Sequence, residues 1–288
     1  MQSFAQHACI ERTLRTYFNS ELSVIDAEDP AAFRAQMLLD EDNESVRAES
    51  NQEVNSIPIR SILIGVSGAS YVTQLTVILY TWHLTETNPL QSYSILTPES
   101  LIEGVTAEYT SRQRILNVSV GEIHTFVATV VNNDSEKTLD ATFALVKVLG
   151  GARGILTLLG FQHTVGSRNV APLTLRQCLA AFAQRHNNNE LLTVGARAYT
   201  KHCTRSSSGW WGELKGNDAA KNVQAEAKVR DLLATATWKN IHSLPHGHAT
   251  MEIRNSLGYG ARWDAETRHF RGFLEPPMLN GHAIKWRH

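Results

Sequence analysis

Hydrophobic periodicity is strongest in the middle of the chain. Five apolar residues recur there at intervals of three and four positions, the spacing of one face of an amphipathic helix: Ile123, Phe126, Val127, Val130 and Val131. Three more apolar stretches follow, at residues 143–148, 155–159 and 175–182. Thr174 is placed to cap the last of them. The pattern predicts a helical module over about residues 125–186.

The N-terminal part of the chain is helical in pattern and then polar. Asp29 stands before Pro30, which predicts a helix that begins at the proline with the aspartate as its cap. Residues 40–55 are polar and mostly acidic. We interpret this stretch as a solvated linker, with an acidic recognition element as the alternative.

The region between this linker and the helical module gives mixed signals. Residues 57–68 are rich in isoleucine and end in small residues, which predicts a buried strand that runs into a turn. Residues 71–84 are apolar and rich in β-branched side chains, so strand and helix both remain open there. Thr97 before Pro98 predicts another helix start.

The C-terminal part changes to a two-residue period. Residues 249–254 alternate with Met251 and Ile253 on one side, and two more short apolar segments follow at hairpin spacing. Asp218 is placed to cap a helix before them. The expected fold class is therefore α+β, with helices in the middle and a small antiparallel sheet plus a helix at the end. We expect three parts: a helical region and linker at 1–56, an α/β region at 57–190 and an α+β domain at 191–288.

Composition and charge narrow the class of protein. Lys and Arg number 27 and Asp and Glu number 28, a formal net charge of −1. This balance argues against a broad nucleic-acid footprint. Three distant cysteines without a CxxC pair indicate a reducing compartment. The chain starts without a secretory signal pattern and has no run of about 18 apolar residues. We therefore expect a cytoplasmic protein, with a nuclear location as the alternative, and no membrane partner.

The helical module carries a family resemblance. Gly151-Ala152, Leu156 and Gly160-Phe161 have the spacing of the closing signature of the PUB domain, which the module resembles together with its upstream turn. PUB domains are adaptors found in peptide:N-glycanase and in cofactors of the p97-type AAA ATPase. The resemblance implies a non-catalytic adaptor that recognises an AAA ATPase C-terminal tail in protein quality control. It also implies a set of peptide-binding residues: Asn133, Lys137, Phe143 and Phe161.

The C-terminal segment resembles a second family, which is uncharacterised. The residues that carry this likeness form the pattern GYGxRW, FRGFLEP and GHxxxWxH from position 258 onward. The likeness brings no chemistry with it. Strand alternation nevertheless predicts a recognition surface of aromatic and arginine side chains, made by Tyr259, Arg262, Trp263 and Arg271. The alternative is that the aromatic rings are core residues and the arginines reach outward.

Histidines are the main candidates for chemistry. Six lie in the last part of the chain: His242, His246, His248, His269, His282 and His288. On a strand, His246 and His248 would face the same side, so they are the metal candidates, with Glu252 or Glu275 as a further ligand. His282 with Glu275 is a candidate acid–base pair. The alternative to both is a set of surface imidazoles.

No complete catalytic motif is present, so the question of catalysis stays open and no cofactor is expected. The favoured hypothesis is the adaptor. One rival is a hydrolase that uses the C-terminal His, Arg and Glu residues, and a thiol nucleophile at Cys203 beside His202 is a further option. The other rival is a weak nucleic-acid binder built on Trp210, Trp211 and a basic stretch, a hypothesis that the near-neutral net charge disfavours. That stretch comprises Arg197, Lys201, Arg205 and Lys215.

Overall fold

The computed structural model describes residues 2–40, 59–91, 102, 106–132, 135–187, 189–243 and 247–276. These residues form two compact units, each with its own core. Unit 1 takes its described residues from 1–63, 67–94 and 107–172, and unit 2 from 64–66, 95–106 and 173–288. The chain therefore enters unit 2 twice, at residues 64–66 and within 95–106, before it returns to complete unit 1.

Unit 1 is helical. Its helices are α1 (Gln2–Asn19), α2 (Pro30–Leu38), α3 (Ile59–Leu63), α4 (Tyr71–Thr85), α5 (Thr110–Leu116), α6 (Val120–Val131), α7 (Ser135–Leu149) and α8 (Gly151–Leu158). The core lies where α1, α4, α6 and α7 pack together, and Ile10, Ile78 and Ile123 are fully buried in it. The Asp29 carboxylate accepts a hydrogen bond from the Ala32 N–H, so the predicted cap of α2 is confirmed.

Two segments before the helical module are helices: one was predicted as a strand, and the other was left open between strand and helix. The predicted strand at residues 57–68 is wrong over its described part, because α3 is a short helix. Its three buried or half-buried apolar residues, Ile59, Ile62 and Leu63, are also spaced as a helix face requires. The ambiguous segment that follows is the helix α4, capped by the Ser70 hydroxyl, which accepts from the Thr73 N–H. The predicted helix start at Thr97 lies outside the described residues.

The end of α8 shows what the Gly-Phe pair does. Gly160 has a left-handed backbone (φ 87°), and its N–H donates to the Thr157 carbonyl. The Phe161 N–H donates to the Leu156 carbonyl at 2.9 Å. These two bonds form a Schellman motif, which satisfies the last carbonyls of a helix and often packs a hydrophobic residue just beyond the glycine. Phe161 is buried accordingly.

No single helix in the described part of the chain is both long enough and apolar enough to cross a membrane. The pair Glu136–Leu149 and Gly151–Leu158 passes the test together by length and composition, with a bend of 79° between the two helices. Both helices contribute buried leucines to unit 1.

Unit 2 combines three helices with one sheet in its described part, so the α+β class is confirmed. The elements are α9 (Leu175–Ala183), α10 (Val194–Arg205), α11 (Asp218–Thr235), β1 (Trp238–Ser243), β2 (Ala249–Arg254), β3 (Gly260–Asp264) and β4 (Phe270–Leu274). The cap of α11 is Asn217, one residue before the expected one, and a capping box around Thr174 begins α9 as predicted. The strands are antiparallel in the order β1-β2-β3-β4.

The two faces of the sheet have opposite chemistry. On one face, alternate residues such as Met251, Ile253 and Trp263 are fully buried, and α9, α10 and α11 pack against the sheet. Apart from Trp238 and Gly260, residues of the other parity on β1 to β3 are polar: Asn240, His242, Thr250, Glu252, Arg254, Arg262 and Asp264. Because the side chains of a strand alternate between faces, these polar residues share one face, which we call the polar face.

A β-bulge in the edge strand β4 interrupts this alternation between the two faces. Arg262 pairs with Gly272, whereas the next residue, Trp263, pairs with Phe270, so Arg271 is the extra residue. The bulge lets Phe270 and Phe273 both pack against Phe182, with ring centroids 5.0 and 5.8 Å away. It also leaves the Arg271 side chain about half exposed beside the core.

Candidate functional site

A buried carboxylate stands at the centre of the polar face. Glu252 is 0% exposed. Its Oε1 accepts from Arg254 Nε at 2.6 Å, and its Oε2 accepts from Arg262 Nε at 2.6 Å. His242 Nε2 lies 3.0 Å from the same Oε2. Because an ionised carboxylate can only accept, the proton in this contact sits on His242 Nε2. One carboxylate is thus held by an imidazole and two guanidinium groups.

The register of three neighbouring strands brings this cluster together. Arg254 follows Glu252 by two positions on β2, so both face the same side. Arg262 on β3 pairs directly with Glu252, and His242 on β1 pairs with Thr250, one diagonal step away. Arg254 is fixed further because its Nη1 donates to the Gly258 carbonyl at 2.6 Å and to the Glu275 carbonyl at 3.1 Å.

The electrostatic balance at Glu252 favours the charged form. Burial alone would raise the pKa of this carboxyl group. The hydrogen bond from His242 and the charges of Arg254 and Arg262 outweigh burial and lower the pKa to about 2. The cluster therefore contains a carboxylate and two arginines at neutral pH. Of its members, Arg262 has the most accessible side chain at 24%.

A second feature of unit 2 is a small basic cavity of about 230 Å³ at α10 and β4. We call it the basic pocket, and its lining residues are Ala198, Lys201, His202, Arg205, Arg271, Gly272 and Phe273. Lys201 and Arg205 are exposed, lie one helical turn apart, and have no ion-pair partner in the part of the chain that the structure describes. A side chain at Gly272 would meet no atom within 4 Å, so the cavity is open at β4.

Glu275 holds the histidine of the basic pocket. Its Oε1 accepts from Trp211 Nε1 at 2.5 Å and lies 3.0 Å from His202 Nδ1. The Ser206 hydroxyl donates to the other oxygen at 3.4 Å. Burial raises the pKa of Glu275, but the bonds from His202, Trp211 and Ser206 outweigh it, so its pKa is lowered. Glu275 is therefore an ionised anchor for the His202 ring.

The sequence-predicted catalytic and metal candidates have separate surroundings. His248 is exposed and its Nδ1 lies 2.6 Å from Glu266, whereas Glu275 contacts His202. His246 and His282 lie outside the described residues. No three His, Cys, Asp or Glu side chains of the described segments group in a way that could hold a metal ion.

The thiol candidate has the wrong protonation state for a nucleophile. Cys203 Sγ donates to the Trp211 carbonyl at 3.7 Å. Burial raises the pKa of this thiol, and the hydrogen bond with Tyr199 offsets only part of that effect. Since the thiolate is the reactive form, Cys203 is poorly suited to attack a substrate.

The four residues of the predicted recognition surface occupy different environments. Trp263 is fully buried, and its Nε1–H donates to the Cys178 carbonyl at 3.0 Å. Tyr259 is buried and stacks on Trp210 with ring centroids 4.1 Å apart. Arg262 belongs to the Glu252 cluster, and Arg271 Nη1 donates to Asp264 at 3.4 Å. The two arginines thus lie at the polar face and the basic pocket, and the two rings are core residues.

The predicted peptide-binding residues do not form one described surface. Lys137 is exposed within α7, where the resemblance implied a turn. Phe143 packs edge-on against Tyr17 with centroids 4.9 Å apart, and Phe161 is buried behind α8. Asn133 lies outside the described residues.

The basic stretch is divided by its contacts. Arg197 pairs with Glu190 at 2.5 Å, and Lys215 lies 3.9 Å from Glu213. Lys201 and Arg205 instead line the basic pocket with Arg271. His242 and Glu252 were separate candidates in the sequence, but Arg254 and the grouping of the three residues were missed. The available signal was the alternation of charged residues with Met251 and Ile253 along β2, which predicts a polar face opposite the core.

One comparison with known proteins gives a functional description for this region. A family model described as the CdiA C-terminal tRNase toxin domain matches residues 182–275, roughly one third of the chain. The matched segment contains α10, α11 and all four strands. Comparison with curated proteins finds no match, and comparison with solved structures finds none either.

This match corrects the family assignment and the function inferred from it. The PUB resemblance is wrong: no PUB domain is matched, and the Gly-Phe pair that carried the resemblance is a Schellman helix end. The adaptor function and the AAA ATPase partner, which rested on it, are wrong with it. The expectation that disfavoured nucleic acid as a partner is also wrong, because a net charge of −1 averages over the chain and hides local segregation. Three cations line a single pocket of unit 2.

Proposed function

We propose that unit 2 is a ribonuclease that cleaves tRNA, with His242, Glu252, Arg254 and Arg262 as its active centre. The observation that carries this proposal is the buried Glu252 carboxylate, bonded to an imidazole and two guanidinium groups on one face of the sheet. The likeness of residues 182–275 to a tRNase toxin domain supports the substrate class. Of the two rival hypotheses, the hydrolase built from C-terminal His, Arg and Glu residues is the one that this proposal develops.

The three residue types match the needs of RNA cleavage by internal transesterification. Glu252 accepts the proton of a ribose 2′-hydroxyl while the 2′-oxygen forms a bond to phosphorus. The bond from phosphorus to the 5′-oxygen breaks, and His242 donates a proton to that oxygen. Arg254 and Arg262 bind the phosphoryl oxygens, where negative charge grows in the transition state. The products are a 2′,3′-cyclic phosphate and a free 5′-hydroxyl.

The charges around Glu252 also suit a base that is activated by its substrate. In the free protein, Arg254 and Arg262 contribute to the low pKa of the carboxyl group. A phosphodiester bound to these guanidinium groups offsets their charge, because it is itself an anion. The pKa of Glu252 then rises toward the range in which a carboxylate accepts protons efficiently. A phosphate would reach Arg262 first, as the most exposed member of the cluster.

The basic pocket supplies a second anchor for a polyanionic substrate. Gly272, which lines the pocket, is the strand partner of Arg262, which belongs to the centre. Lys201, Arg205 and Arg271 can therefore bind a backbone phosphate that flanks the cleaved bond. Phosphate contacts of this type fix the register of a nucleic acid without reading its bases.

The test is a cleavage assay with the full chain and tRNA. We expect Glu252→Gln and His242→Gln each to lower the cleavage rate at least about a hundredfold, since general acid–base groups contribute about that much or more. The cleaved ends should carry a 2′,3′-cyclic phosphate, measured by mass spectrometry. A tRNA with 2′-deoxyribose at the cleaved position should resist cleavage, because it lacks the attacking hydroxyl.

The matched control is His248→Gln. His248 also contacts a glutamate in the same unit, but this pair is exposed, and among the described residues His248 makes no hydrogen bond or ion pair with His242, Glu252, Arg254 or Arg262. It should keep the wild-type rate. The proposal fails if tRNA is not cleaved by the folded wild-type chain, if the 2′-deoxy substrate is cleaved equally well, or if the Glu252 and His242 variants remain as active as the control.

The place of action stays a proposal as well. We expect the chain to act in the cytoplasm, because its tRNA substrate is found there and its three cysteines are unpaired in the described structure. Growth arrest of cells that express the wild-type chain, and normal growth with the Glu252→Gln variant, would support this location. Equal growth with both chains would count against it.

A further inference from the structure

One cavity of unit 1 plays no part in the proposed nuclease. It has a volume of about 740 Å³ and is formed by α1, the segment that follows it, α5, α7 and the start of α8. Pockets for small molecules commonly measure about 300–1,000 Å³. The size is therefore that of a binding site rather than of a packing defect.

The charged groups of this cavity are mostly positive. Arg114, Lys147 and Arg153 line it, and Asp26 is the one acidic residue among its lining side chains. The Asp26 carboxylate is already engaged, because it accepts from the Ala152 N–H at 2.9 and 3.1 Å. Neither Arg114 nor Lys147 has a side-chain hydrogen bond or ion pair within the described parts of unit 1. The cavity thus carries two uncommitted cations.

Arg153 is an unusual residue at the base of this site. Its Nε donates to Asn169 Oδ1 at 2.9 Å and its Nη2 to the Arg168 carbonyl at 2.5 Å. Its buried Nη1 has no partner among the described atoms. Burial lowers the pKa of Arg153 to about 10, with Glu28 opposing that shift, so the group stays protonated at pH 7. This charged group adds to the positive charge at the cavity wall.

The rest of the wall is apolar. Tyr17, Val24 and Phe143 line the cavity, and the exposed side chains of Leu22 and Ile25 border it. Val24 has a left-handed backbone (φ 45°), a conformation that is costly for a β-branched residue. The Val24 N–H donates to the Tyr17 hydroxyl at 3.2 Å, which holds this strained turn at the cavity wall. Strain of this kind clusters at ligand sites.

We infer that this cavity binds an amphipathic anion, a small molecule with an apolar body and one carboxylate or phosphate headgroup. Arg114 and Lys147 contact the headgroup, and Tyr17, Val24 and Phe143 enclose the body. Charge selects the ligand class, because a neutral molecule leaves the cations unpaired and an amine is repelled by them. Gly150 allows the arrangement, since a Cβ there would lie 2.8 Å from the Arg114 side chain.

The test uses three probes of equal length on the full wild-type chain: octanoate, 1-octanol and octylamine. Isothermal titration calorimetry should show octanoate binding at least about tenfold more tightly than octanol, the difference expected for charge-assisted hydrogen bonds. Octylamine should not bind. Octyl phosphate, measured in parallel, distinguishes a phosphate from a carboxylate preference. Equal affinity for octanoate and octanol, or binding of octylamine, would overturn the inference.

Variants locate the binding. Arg114→Gln and Lys147→Gln should each weaken octanoate binding about tenfold and leave octanol binding unchanged. Ala144→Trp, which adds bulk to the exposed lining of α7, should abolish both. Arg12→Gln is the matched control, an exposed arginine of α1 that does not line the cavity. If Arg12→Gln weakens octanoate binding as much as Arg114→Gln does, the cavity is not the site.

Discussion

At the residue scale, two buried charges of unit 2 show how neighbours decide the cost of burial. Glu252 is surrounded by cationic donors, and its pKa falls to about 2 although it is fully buried. Lys239, on the opposite face of the sheet, donates from Nζ to the Gly65 carbonyl at 2.8 Å, and burial lowers its pKa to about 7. Opposite charges keep the first group ionised, whereas the dipole of a carbonyl does not offset the desolvation of the second.

The low pKa of Glu252 makes stability depend on acid pH. Its folded pKa of about 2 lies below the ordinary value of 4.5, so the unfolded chain binds more protons between these limits. The stabilisation is complete above pH 4.5 and is lost as pH falls toward 2. A shift of this size corresponds to on the order of 3 kcal/mol. Urea unfolding should show this acid loss in the wild type and a flatter profile in Glu252→Gln.

The control for that measurement is Glu266→Gln, which removes an exposed carboxylate from the same unit. Its profile should follow that of the wild type. Parallel profiles for wild type and Glu252→Gln would show that the cluster does not stabilise the carboxylate.

At the element scale, α10 and β4 create the basic pocket through their local geometry. The Thr193 hydroxyl caps α10 by accepting from the Ala196 N–H, which fixes where the helix begins. Lys201 and Arg205 then project from successive turns of the same face. The bulge in β4 places Arg271 at the same cavity. The helix cap and the bulge each depend on residues close in sequence. The three cations meet in one pocket only because α10 packs against β4.

If the basic pocket binds phosphates, the affinity of the chain for tRNA should depend on the salt concentration through its cations. If Lys201 and Arg205 each neutralise a phosphate, Lys201→Gln with Arg205→Gln should reduce the slope of log affinity against log salt by about 1.5, near 0.7–0.9 per contact. We expect this effect in tRNA binding to the full chain, measured in a background of Glu252→Gln to prevent cleavage.

Lys215→Gln is the control, because Lys215 is exposed beside Glu213 and does not line the pocket. The Lys215→Gln variant loses one positive charge close in sequence to Lys201 and Arg205, but it leaves every residue of the pocket unchanged. A double variant with the same slope as this control would exclude the pocket as a phosphate site.

At the scale of the whole molecule, unit 2 depends on a segment far away in sequence. The Gly65 N–H donates to the Ala236 carbonyl and the Val66 N–H to the Leu233 carbonyl, both at 2.7 Å. Gly65 has a left-handed backbone (φ 76°), and a Cβ there would lie 2.6 Å from the Ala234 carbonyl oxygen. Unit 2 is therefore not a simple C-terminal fragment, although the match to the tRNase model begins only at residue 182.

Gly65→Ala should destabilise the protein for two reasons, the left-handed backbone and the clash with neighbouring carbonyls. We expect a loss of about 2 kcal/mol or more in the free energy of unfolding. Gly209→Ala is the matched control, because Gly209 has a similar φ of 67° but open space around it. It should lose only about 1 kcal/mol. Equal losses in denaturant unfolding would show that the close packing of Gly65 contributes nothing.

Local structure could be predicted from the sequence wherever one strong rule applied. Periodicity located α6, the residues Asp29 and Thr174 capped their helices as expected, and alternation predicted the sheet. Prediction failed where two patterns overlapped: the isoleucine-rich segment at 57–68 was predicted as a strand, but the spacing of Ile59, Ile62 and Leu63 also fits a helix, and Ile59–Leu63 is the helix α3. The Gly160-Phe161 pair misled the family assignment for a similar reason, because any helix that ends in a Schellman motif can carry the same pair of residues.

The contacts between polar groups, in contrast, depend on how distant segments pack in the folded chain. Glu252 finds His242 and Arg262 through strand register, and Glu275 finds His202 across 73 positions of chain through packing. The three cations of the basic pocket converge although the chain as a whole is nearly neutral. The physical reason is the sequence distance over which each effect acts. Helix caps and periodicity depend on residues a few positions apart, whereas a functional site requires side chains from distant segments to lie within hydrogen-bonding distance of one another.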